Sequence, residues 1–271
     1  MLGSVADAED VVQDAALRLL AQNQPPESEE AYLYTVVTRL CIDRLRKQKT
    51  ERKHYFGPWL PEPLPDEHLD PAEVHHDLGM GLMCLLDQLS PAERAGFVLR
   101  EAFDFSYAEI ADLLGVTASS ARQRVSRARA RMQRVDPAHH DRQQTPPQEQ
   151  QLLLEKMMHC VSEVDAEGLI ALMHEDVVAL TDGGGFVSAA IAPVYGRQRI
   201  TQVTLFLMQK SAVEGELEIT YQRMNGGWAV VIWQDGQLHS CNSIEARDGK
   251  VHRIYVWRNP HKMRHLLEPA E

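Results

Sequence analysis

The 271-residue sequence contains few cysteines and no long apolar segment. Its four cysteines stand singly, without a CxxC pair. This argues against a disulfide framework or a zinc site and predicts reduced thiols in a cytoplasmic protein. No apolar run approaches the ~20 residues that span a bilayer, and no charged-then-apolar leader opens the chain. The formal net charge of −11 disfavours general coating of nucleic acid but leaves room for a local basic patch.

Two stretches without hydrophobic periodicity divide the chain. GPWLPEPLPDEHLDP (Gly57–Pro71) is dense in proline, which sustains neither a helix nor a central strand. DPAHHDRQQTPPQEQQ (Asp136–Gln151) is polar, with paired prolines. We therefore predict domains at 1–56, 76–136 and 151–271, a linker at 57–75 and a tether at 137–150.

The first domain shows two helical patterns. In ADAEDVVQDAALRLL the apolar spacing predicts one continuous buried face, with Ser4 or Asp7 as the N-cap. That face consists of Ala8, Val11, Val12, Ala15, Ala16, Leu19 and Leu20. The opposite side is acidic, which is also favourable simply because it lies near a helix N-terminus.

A second helix is predicted from about Glu29 to Gln48, and it ends in the basic stretch RLRKQKTERKHYF. Cations suit the C-terminal end of a helix. A basic track beside Tyr55 and Phe56 equally suits a nucleic-acid single strand, whose phosphates need charge and whose bases need flat surfaces. The pattern alone leaves both interpretations open.

The second domain is predicted to be a helix-turn-helix. Ser90, Pro91 and Glu93 form a helix-start signal. In YAEIADLLGVTASSARQRV, Gly115 permits a left-handed turn residue and Thr117 caps the following helix. Such helices enter the major groove of DNA.

That second helix concentrates arginine in an otherwise acidic chain. No acid occurs between Asp112 and Asp136. Ala121, Val125, Ala128 and Met132 recur at helical spacing and are predicted to face inward. A merely solvated arginine face would show interspersed acids for pairing, so we predict a DNA-contacting face instead.

The third domain begins with helical spacing from Glu149 to Met173, with Asp165 capping a second helix. Four strand patterns follow: ELEITYQRM, WAVVIWQ, QLHSCNSIEA and KVHRIYVW, separated by hairpin turns. The prediction is an α+β domain with helices packed on a curved antiparallel meander. Residues that would line a pocket in it are Tyr195, Trp233, His239 and Arg258. Asp182, in TDGGGF, has three interpretations: a turn residue, a regulatory contact with the linker or first domain, and a general acid or base.

Taken together and in order, these motifs resemble an extracytoplasmic-function (ECF) sigma factor of bacterial RNA polymerase. DAEDVVQDAALRLL resembles the polymerase-docking helix, AYLYTVVTRLCIDRLRKQK the promoter-melting segment, and Leu89–Met132 the upstream-promoter domain. WLPEP (Trp59–Pro63), DGGG (Asp182–Gly185) and NPHKM (Asn259–Met263) resemble the signatures of the group with a C-terminal SnoaL-like domain. His261 and Met263 depart from that group's usual acid and leucine, and the family's first helix normally precedes the start of this sequence.

The resemblance implies two all-α sigma domains followed by an α+β SnoaL/NTF2-like cone, without catalytic residues, metal or cofactor. Core RNA polymerase and promoter DNA are the implied partners, and a small ligand in the cone is possible. Polymerase contacts would be Glu9, Asp10, Gln13 and Asp14. Contacts with the melted promoter element would be Arg39, Asp43, Arg44, Arg46 and Lys47. Upstream-element contacts would be Ser119, Ser120, Arg122, Gln123, Arg124, Ser126, Arg127, Arg129 and Arg131. Regulatory contacts would be Trp59, Leu60, Pro61, Glu62, Pro63, Asp182, Gly183, Gly184, Gly185, Asn259 and Pro260.

Two other functions remain open from the sequence. A stand-alone helix-turn-helix regulator with a ligand-sensing C-terminal domain would bind duplex DNA tightly without polymerase. A SnoaL-type enzyme with a DNA-binding arm would turn over a small hydrophobic substrate. The docking helix and the WLPEP linker favour the sigma factor.

Overall fold

The computed structural model describes residues 1–66, 80–135 and 145–267, and these fall into two compact units. The first unit contains 1–54 and 83–135, and the second contains 55–66, 80–82 and 145–267. The described part of the proline-rich linker thus belongs to the same unit as the C-terminal domain. The predicted linker, helix-turn-helix domain and tether also include 67–79 and 136–144, which lie outside the described residues.

The first unit begins with α1 (Val5–Leu20) and α2 (Glu29–Glu51), capped by Ser4 and Ser28. The prediction of one continuous buried face on α1 is wrong. Only Val11 and Ala15 are buried, while Val12 is 61% exposed and Leu20 is 81% exposed. The reason is that α1 packs chiefly on α2, and a single neighbouring helix covers only a narrow stripe.

The helix-turn-helix is confirmed. Its elements follow α3 (Met80–Leu86) as α4 (Pro91–Glu101), α5 (Tyr107–Leu114) and α6 (Ala118–Val135). Ser90 and Glu93 form the predicted capping box, and Gly115 ends α5 at φ 63°. The Thr117 hydroxyl accepts from the Ser120 N–H at 3.2 Å at the start of α6. Residues 121, 125, 128 and 132 are at most 2% exposed, as predicted.

The two helical modules pack together within this unit. Helix α2 contacts both α4 and α5, and the rings of Tyr34 and Phe105 meet edge to face at 5.1 Å. At the end of α2, Arg52 pairs with Asp87 at 3.2 Å, and Asp87 also pairs with the buried Arg94. Burial lowers the pKa of Arg94, and the Asp87 carboxylate partly offsets that effect.

The second unit is the predicted α+β domain. Helices α7 (Pro147–Ser162), α8 (Ala166–Leu172) and α9 (Arg197–Glu214) accompany a sheet of order β2-β1-β6-β5-β4-β3. The strands are β1 (Met173–Asp182), β2 (Val194–Tyr195), β3 (Leu217–Met224), β4 (Gly227–Gln234), β5 (Gln237–Arg247) and β6 (Lys250–Trp257). The antiparallel meander β3–β6 is confirmed.

Three elements of this unit were not predicted. Strand β1 lies parallel to β6, β2 adds to its edge, and α9 covers part of the sheet. The HED of MHEDVVALTD interrupts the β pattern, and α9 exposes Phe206 and Val213 instead of presenting a clear apolar stripe. The predicted tether is also wrong at its end, because α7 begins at Pro147.

Both faces of the sheet are covered. On one face, Val230, Ile232, Ile244 and Ile254 pack with apolar residues of α7, α8 and α9. On the other, Val231, Cys241 and Trp257 are at most 1% exposed. The linker contributes cover there, since the Trp257 indole donates to the Pro61 carbonyl and Leu60 is 1% exposed. A domain with both sheet faces buried therefore incorporates the linker into its own structure.

Candidate nucleic-acid interface and linker-binding site

Helix α6 presents its polar residues on the side opposite its buried stripe. With 3.6 residues per turn, Gln123 and Arg127 point outward, Arg122 and Arg129 lie on one flank, and Arg124 and Arg131 lie on the other. The predicted contact residues are all accessible. Ser119, Arg122, Gln123, Ser126, Arg127 and Arg131 are exposed, and Ser120, Arg124 and Arg129 are half-buried.

Several of these arginines have partners on the neighbouring helices. Arg129 pairs with Glu101 at 2.5 Å, and Arg131 lies 3.7 Å from Glu93 and donates to the Gln88 carbonyl at 3.0 Å. The helix α6 itself contains no acid, as the sequence shows, and the acids that pair with its arginines come from α4. Exposed pairs of this kind are weak and can exchange for phosphate.

The basic end of α2 also separates into two faces. Arg39, Asp43, Arg46 and Lys47 are exposed on one face, where Arg46 and Asp43 form an ion pair at 2.8 Å. Arg44 lies on the other face. Its guanidinium binds Asp7 of α1 with an Nε–Oδ1 distance of 2.6 Å, and this hydrogen bond raises its pKa. Of the five residues predicted to contact the melted element, Arg44 is thus engaged inside the protein.

Helix α1 exposes acids and apolar groups together. Glu9, Asp10, Gln13 and Asp14 are exposed, as the docking prediction requires. Val12, Leu17 and Leu20 are exposed as well. Asp10 lies 3.6 Å from Arg44 but keeps 67% of its side chain exposed. The face therefore offers apolar area as well as charge, which the sequence prediction did not include.

Asp182 is the centre of a buried linker-binding site. It is the last residue of β1 and is 0% exposed, so its interpretation as a turn residue is wrong. One carboxylate oxygen accepts from the Leu60 N–H at 2.8 Å and from Lys262 Nζ at 2.7 Å. The other accepts from the Tyr55 hydroxyl. Lys262 also donates to the Leu60 carbonyl, and its Nζ lies 3.3 Å from the centroid of the Trp59 ring.

This arrangement resolves the electrostatic problem of a fully buried carboxylate. An unpaired buried charge is strongly unfavourable, and it persists only where ion pairing and hydrogen bonds replace water. Lys262 supplies the pairing charge, and Tyr55 and Leu60 supply the hydrogen bonds. Both of those donors belong to the chain segment 55–66, so this segment replaces water at the buried carboxylate.

The DGGG loop fits the start of the linker closely. Gly184 and Gly185 have φ of 60° and 81°, which favours glycine. A side chain at Gly184 would collide with the Asn259 amide, and a Cβ at Gly185 would lie 3.2 Å from Phe56 Cβ. The Asn259 amide in turn donates to the Tyr55 hydroxyl at 2.8 Å. Tyr55 and Phe56 therefore contact the C-terminal domain.

A second group of contacts holds the other end of the described linker. Asn225, in the β3–β4 hairpin, makes two hydrogen bonds with Leu64. The Asn225 N–H donates to the Leu64 carbonyl at 2.8 Å, and the Asn225 side-chain oxygen accepts from the Leu64 N–H at 3.1 Å. Asp66 binds Arg223 at 3.0 Å and the Gly226 N–H at 2.9 Å. His265 contacts the Pro63 carbonyl. The linker is thus bound along its length from Tyr55 to Asp66.

Most predicted regulatory residues meet at this site. Trp59, Leu60, Pro61, Pro63, Asp182 and Asn259 make the contacts described above. Gly183 adjoins Asp182 in the loop, Glu62 is half-buried within the bound linker, and Pro260 is exposed in the turn after Asn259. Sequence reasoning missed the individual role of Lys262, although it lies inside the quoted NPHKM motif. The only hint in the sequence was that this short turn motif contains a lysine, whose charge could pair with a buried acid.

The residues predicted to line a cavity do not form one catalytic cluster. Tyr195 is 65% exposed on the edge strand β2. Arg258 contacts His239 at 2.9 Å, and burial followed by the neighbouring Arg258 charge lowers the pKa of His239. His239 borders only a shallow depression at the β4–β5 hairpin. Asp182, the candidate general acid or base, is committed to the linker.

In the ranges 1–66, 80–135 and 145–267, no group of three or more histidines, cysteines, aspartates or glutamates is placed to hold a metal ion. No described helix is long and apolar enough to cross a membrane.

A complete helix-turn-helix with an arginine-rich second helix is the architecture of a DNA-binding transcription factor. The chain matches the family models Sigma-70 region 2 at residues 1–51 and Sigma-70 region 4 at residues 80–132. It is 31% identical to the ECF RNA polymerase sigma factor SigJ of Mycobacterium tuberculosis H37Rv, over 97% of this chain and 87% of that protein. It is 27% identical to the probable ECF RNA polymerase sigma factor SigI of M. tuberculosis CDC 1551, over 96% of this chain and 87% of that protein.

The structure agrees with these relationships. It aligns with the crystal structure of M. tuberculosis SigJ at a TM-score of 0.74 and 30% identity, covering 97% of this chain and 91% of that one. The chain belongs to the extracytoplasmic-function sigma factors. This family consists of transcription initiation factors, not enzymes, so the interpretation as an enzyme with a DNA-binding arm is set aside.

Proposed function

We propose that this protein is an alternative sigma factor that binds core RNA polymerase, directs initiation at specific promoters and is regulated by its C-terminal domain. The observation that carries the proposal is the arginine face of α6, mounted on a complete helix-turn-helix. Its outward Gln123 and Arg127 have the chemistry to read base edges, and its flanking arginines have the charge to bind phosphates.

Polymerase docking is assigned to the exposed face of α1. Glu9, Val12, Gln13 and Leu20 share one side of that helix, so carboxylate and apolar groups are presented together. Apolar side chains contribute affinity through burial, and the acids contribute orientation against a basic partner surface. Asp10 and Asp14 extend the acidic part toward the neighbouring side.

Contact with the melted promoter strand is assigned to the exposed face of α2. Arg39, Asp43, Arg46 and Lys47 lie there in succession along about two turns. Arginine and lysine supply phosphate contacts, and unstacking the strand costs a few kcal/mol that base capture offsets. Arg44 is left out of this assignment because it holds α1 to α2.

Regulation is assigned to the bound linker. The linker joins residue 54 to residue 83 of the first unit, yet its segment Tyr55–Asp66 is bound by the C-terminal domain. Extended, twelve residues reach ~40 Å. To reach two promoter elements, the two DNA-facing modules must move apart, and the linker must span the distance between them. While these twelve residues are bound to the C-terminal domain, they cannot contribute to that span. Release of the linker therefore increases activity.

Promoter-specific run-off transcription with purified core polymerase tests the proposal. Wild-type protein should direct transcription from its own promoter, and Arg127→Ala should reduce that transcription without loss of polymerase association. Arg199→Ala, on α9, is the matched control. Tight, specific duplex binding by the protein alone, with no polymerase-dependent initiation, would instead establish the stand-alone regulator.

A further inference from the structure

The side chain of Tyr107 lies at the centre of a charged cluster beside α6. The Arg100 and Arg122 guanidinium carbons lie 5.4 and 5.1 Å from the centroid of its ring. Arg129 hydrogen-bonds Glu101 at 2.5 Å, and this bond raises the pKa of the guanidinium. One aromatic side chain thus contacts arginines from both α4 and α6.

Packing of the helix-turn-helix core does not account for this position. Tyr107 is half-exposed, and the core around Leu99, Ile110 and Ala121 takes its partly buried aromatic contacts from Tyr34 and Phe105. The three guanidiniums of Arg100, Arg122 and Arg129 and the one Glu101 carboxylate give the cluster a formal excess of two positive charges. Cation–π contact and hydrogen bonding offset the mutual repulsion of these arginines at a surface that water reaches.

We infer that Tyr107 is a positioning residue that presets Arg122 for a DNA phosphate, beside Arg129, which Glu101 holds until a second phosphate replaces it. The two arginines are seven residues apart, so they stand on the same flank of α6 two turns apart. Long side chains held in place lose less rotamer entropy on binding than free ones, which is the benefit of preorganisation. This inference rests on the proposed promoter-binding role of α6.

The experiment uses holoenzyme assembled from core polymerase and measures its affinity for duplex promoter DNA as a function of salt. Arg122→Ala and Arg129→Ala should each reduce the slope of log affinity against log salt by about one. Tyr107→Leu should weaken binding several-fold and reduce the slope in the same way as Arg122→Ala, because Arg122 loses its position. Tyr107→Phe keeps the ring and should restore most of the affinity.

The outcomes separate this inference from the function on which it rests. If Arg122→Ala and Arg129→Ala leave affinity and slope unchanged, the arginine flank does not bind DNA, and both proposals fail. If those variants weaken binding but Tyr107→Leu does not, only the positioning role is overturned. Thermal unfolding of each variant is measured in parallel. Equal losses of affinity in Tyr107→Leu and Tyr107→Phe also contradict a role for the ring.

Discussion

The two charged sites of this molecule differ in what surrounds them. On α6 the charges are accessible and their acid partners are exposed: Arg129 and Glu101 keep 42% and 37% of their side chains in solvent. At the linker-binding site, Lys262 and Asp182 keep 6% and 0%. Weakly held, exposed charges are available to an external partner, whereas a buried ion pair is committed to the chain itself. This difference supports the proposed division between DNA recognition on α6 and regulation at the linker-binding site.

The largest expected effect comes from breaking the buried pair. Lys262→Met leaves the Asp182 carboxylate buried without its cation and should destabilise the protein by ~3–5 kcal/mol. Denaturant unfolding of the full chain measures this change. Asp182→Asn in the same background should recover part of the loss. Lys210→Met is the control, since Lys210 lies in an exposed ion pair with Glu214, and it should change stability by less than ~0.5 kcal/mol. If the two lysine variants change stability equally, the buried ion pair contributes no more to stability than an exposed one, and the difference drawn between the two sites is wrong.

A substitution on the exposed face of α6 should change DNA affinity and leave stability almost unchanged. Arg127→Ala should reduce holoenzyme affinity for the promoter by about 1–3 kcal/mol, because Arg127 lies on the outward face of α6. The unfolding free energy should stay within ~0.5 kcal/mol of wild type. Promoter binding and denaturant unfolding are measured on the same preparations. A stability loss without an affinity loss would mean that the arginine serves the fold.

An effect of similar size, but on stability, is expected from one hydrogen bond to the linker. Trp257→Phe keeps an aromatic ring against the sheet but removes the indole N–H that donates to the Pro61 carbonyl. The Nε1–O distance of this hydrogen bond is 2.7 Å. The loss should be about 1–3 kcal/mol, the cost of a buried acceptor left without its donor. Limited proteolysis of the 55–66 segment should become faster. Unchanged protection of that segment would show that this bond does not help to hold the linker.

The smallest effect is a dependence of stability on pH, through His252. Burial, then the stacked His174 and then Arg247, lowers the pKa of His252, so the folded state favours its neutral form. The unfolded chain binds this proton near pH 6.5. Stability should therefore be full above that pH and fall as pH drops through the lowered folded pKa. His252→Gln should flatten part of this dependence in unfolding curves. An identical dependence in that variant would assign it to other groups.

Local signals predicted the helical half of the fold well. Ser90, Gly115 and Thr117 each act within one or two turns of the chain, so their roles can be read from sequence order alone. The packing of α1 could not be read in this way. Whether Val12 or Leu20 is buried depends on how many helices lie against α1, which no local pattern records.

The geometry of the linker-binding site was also beyond prediction from local sequence patterns. The motifs around Trp59, Asp182 and Asn259 were recognisable, and their mutual contact was a stated possibility. Their geometry depends on contacts across more than a hundred residues, including the parallel pairing of β1 with β6 that was not predicted. The role of Lys262 could not be predicted for the same reason. Its pairing with Asp182 is evident only when the fold shows that the two side chains are buried side by side.

The central claim is that the C-terminal domain restrains this sigma factor by holding its linker at Asp182. Promoter-specific run-off transcription with core polymerase tests it directly, comparing wild type, Asp182→Asn and the control Asp176→Asn, whose side chain is 86% exposed on the same strand. The account predicts several-fold more transcript from Asp182→Asn and no change from Asp176→Asn. Equal or lower output from a folded Asp182→Asn protein would contradict it.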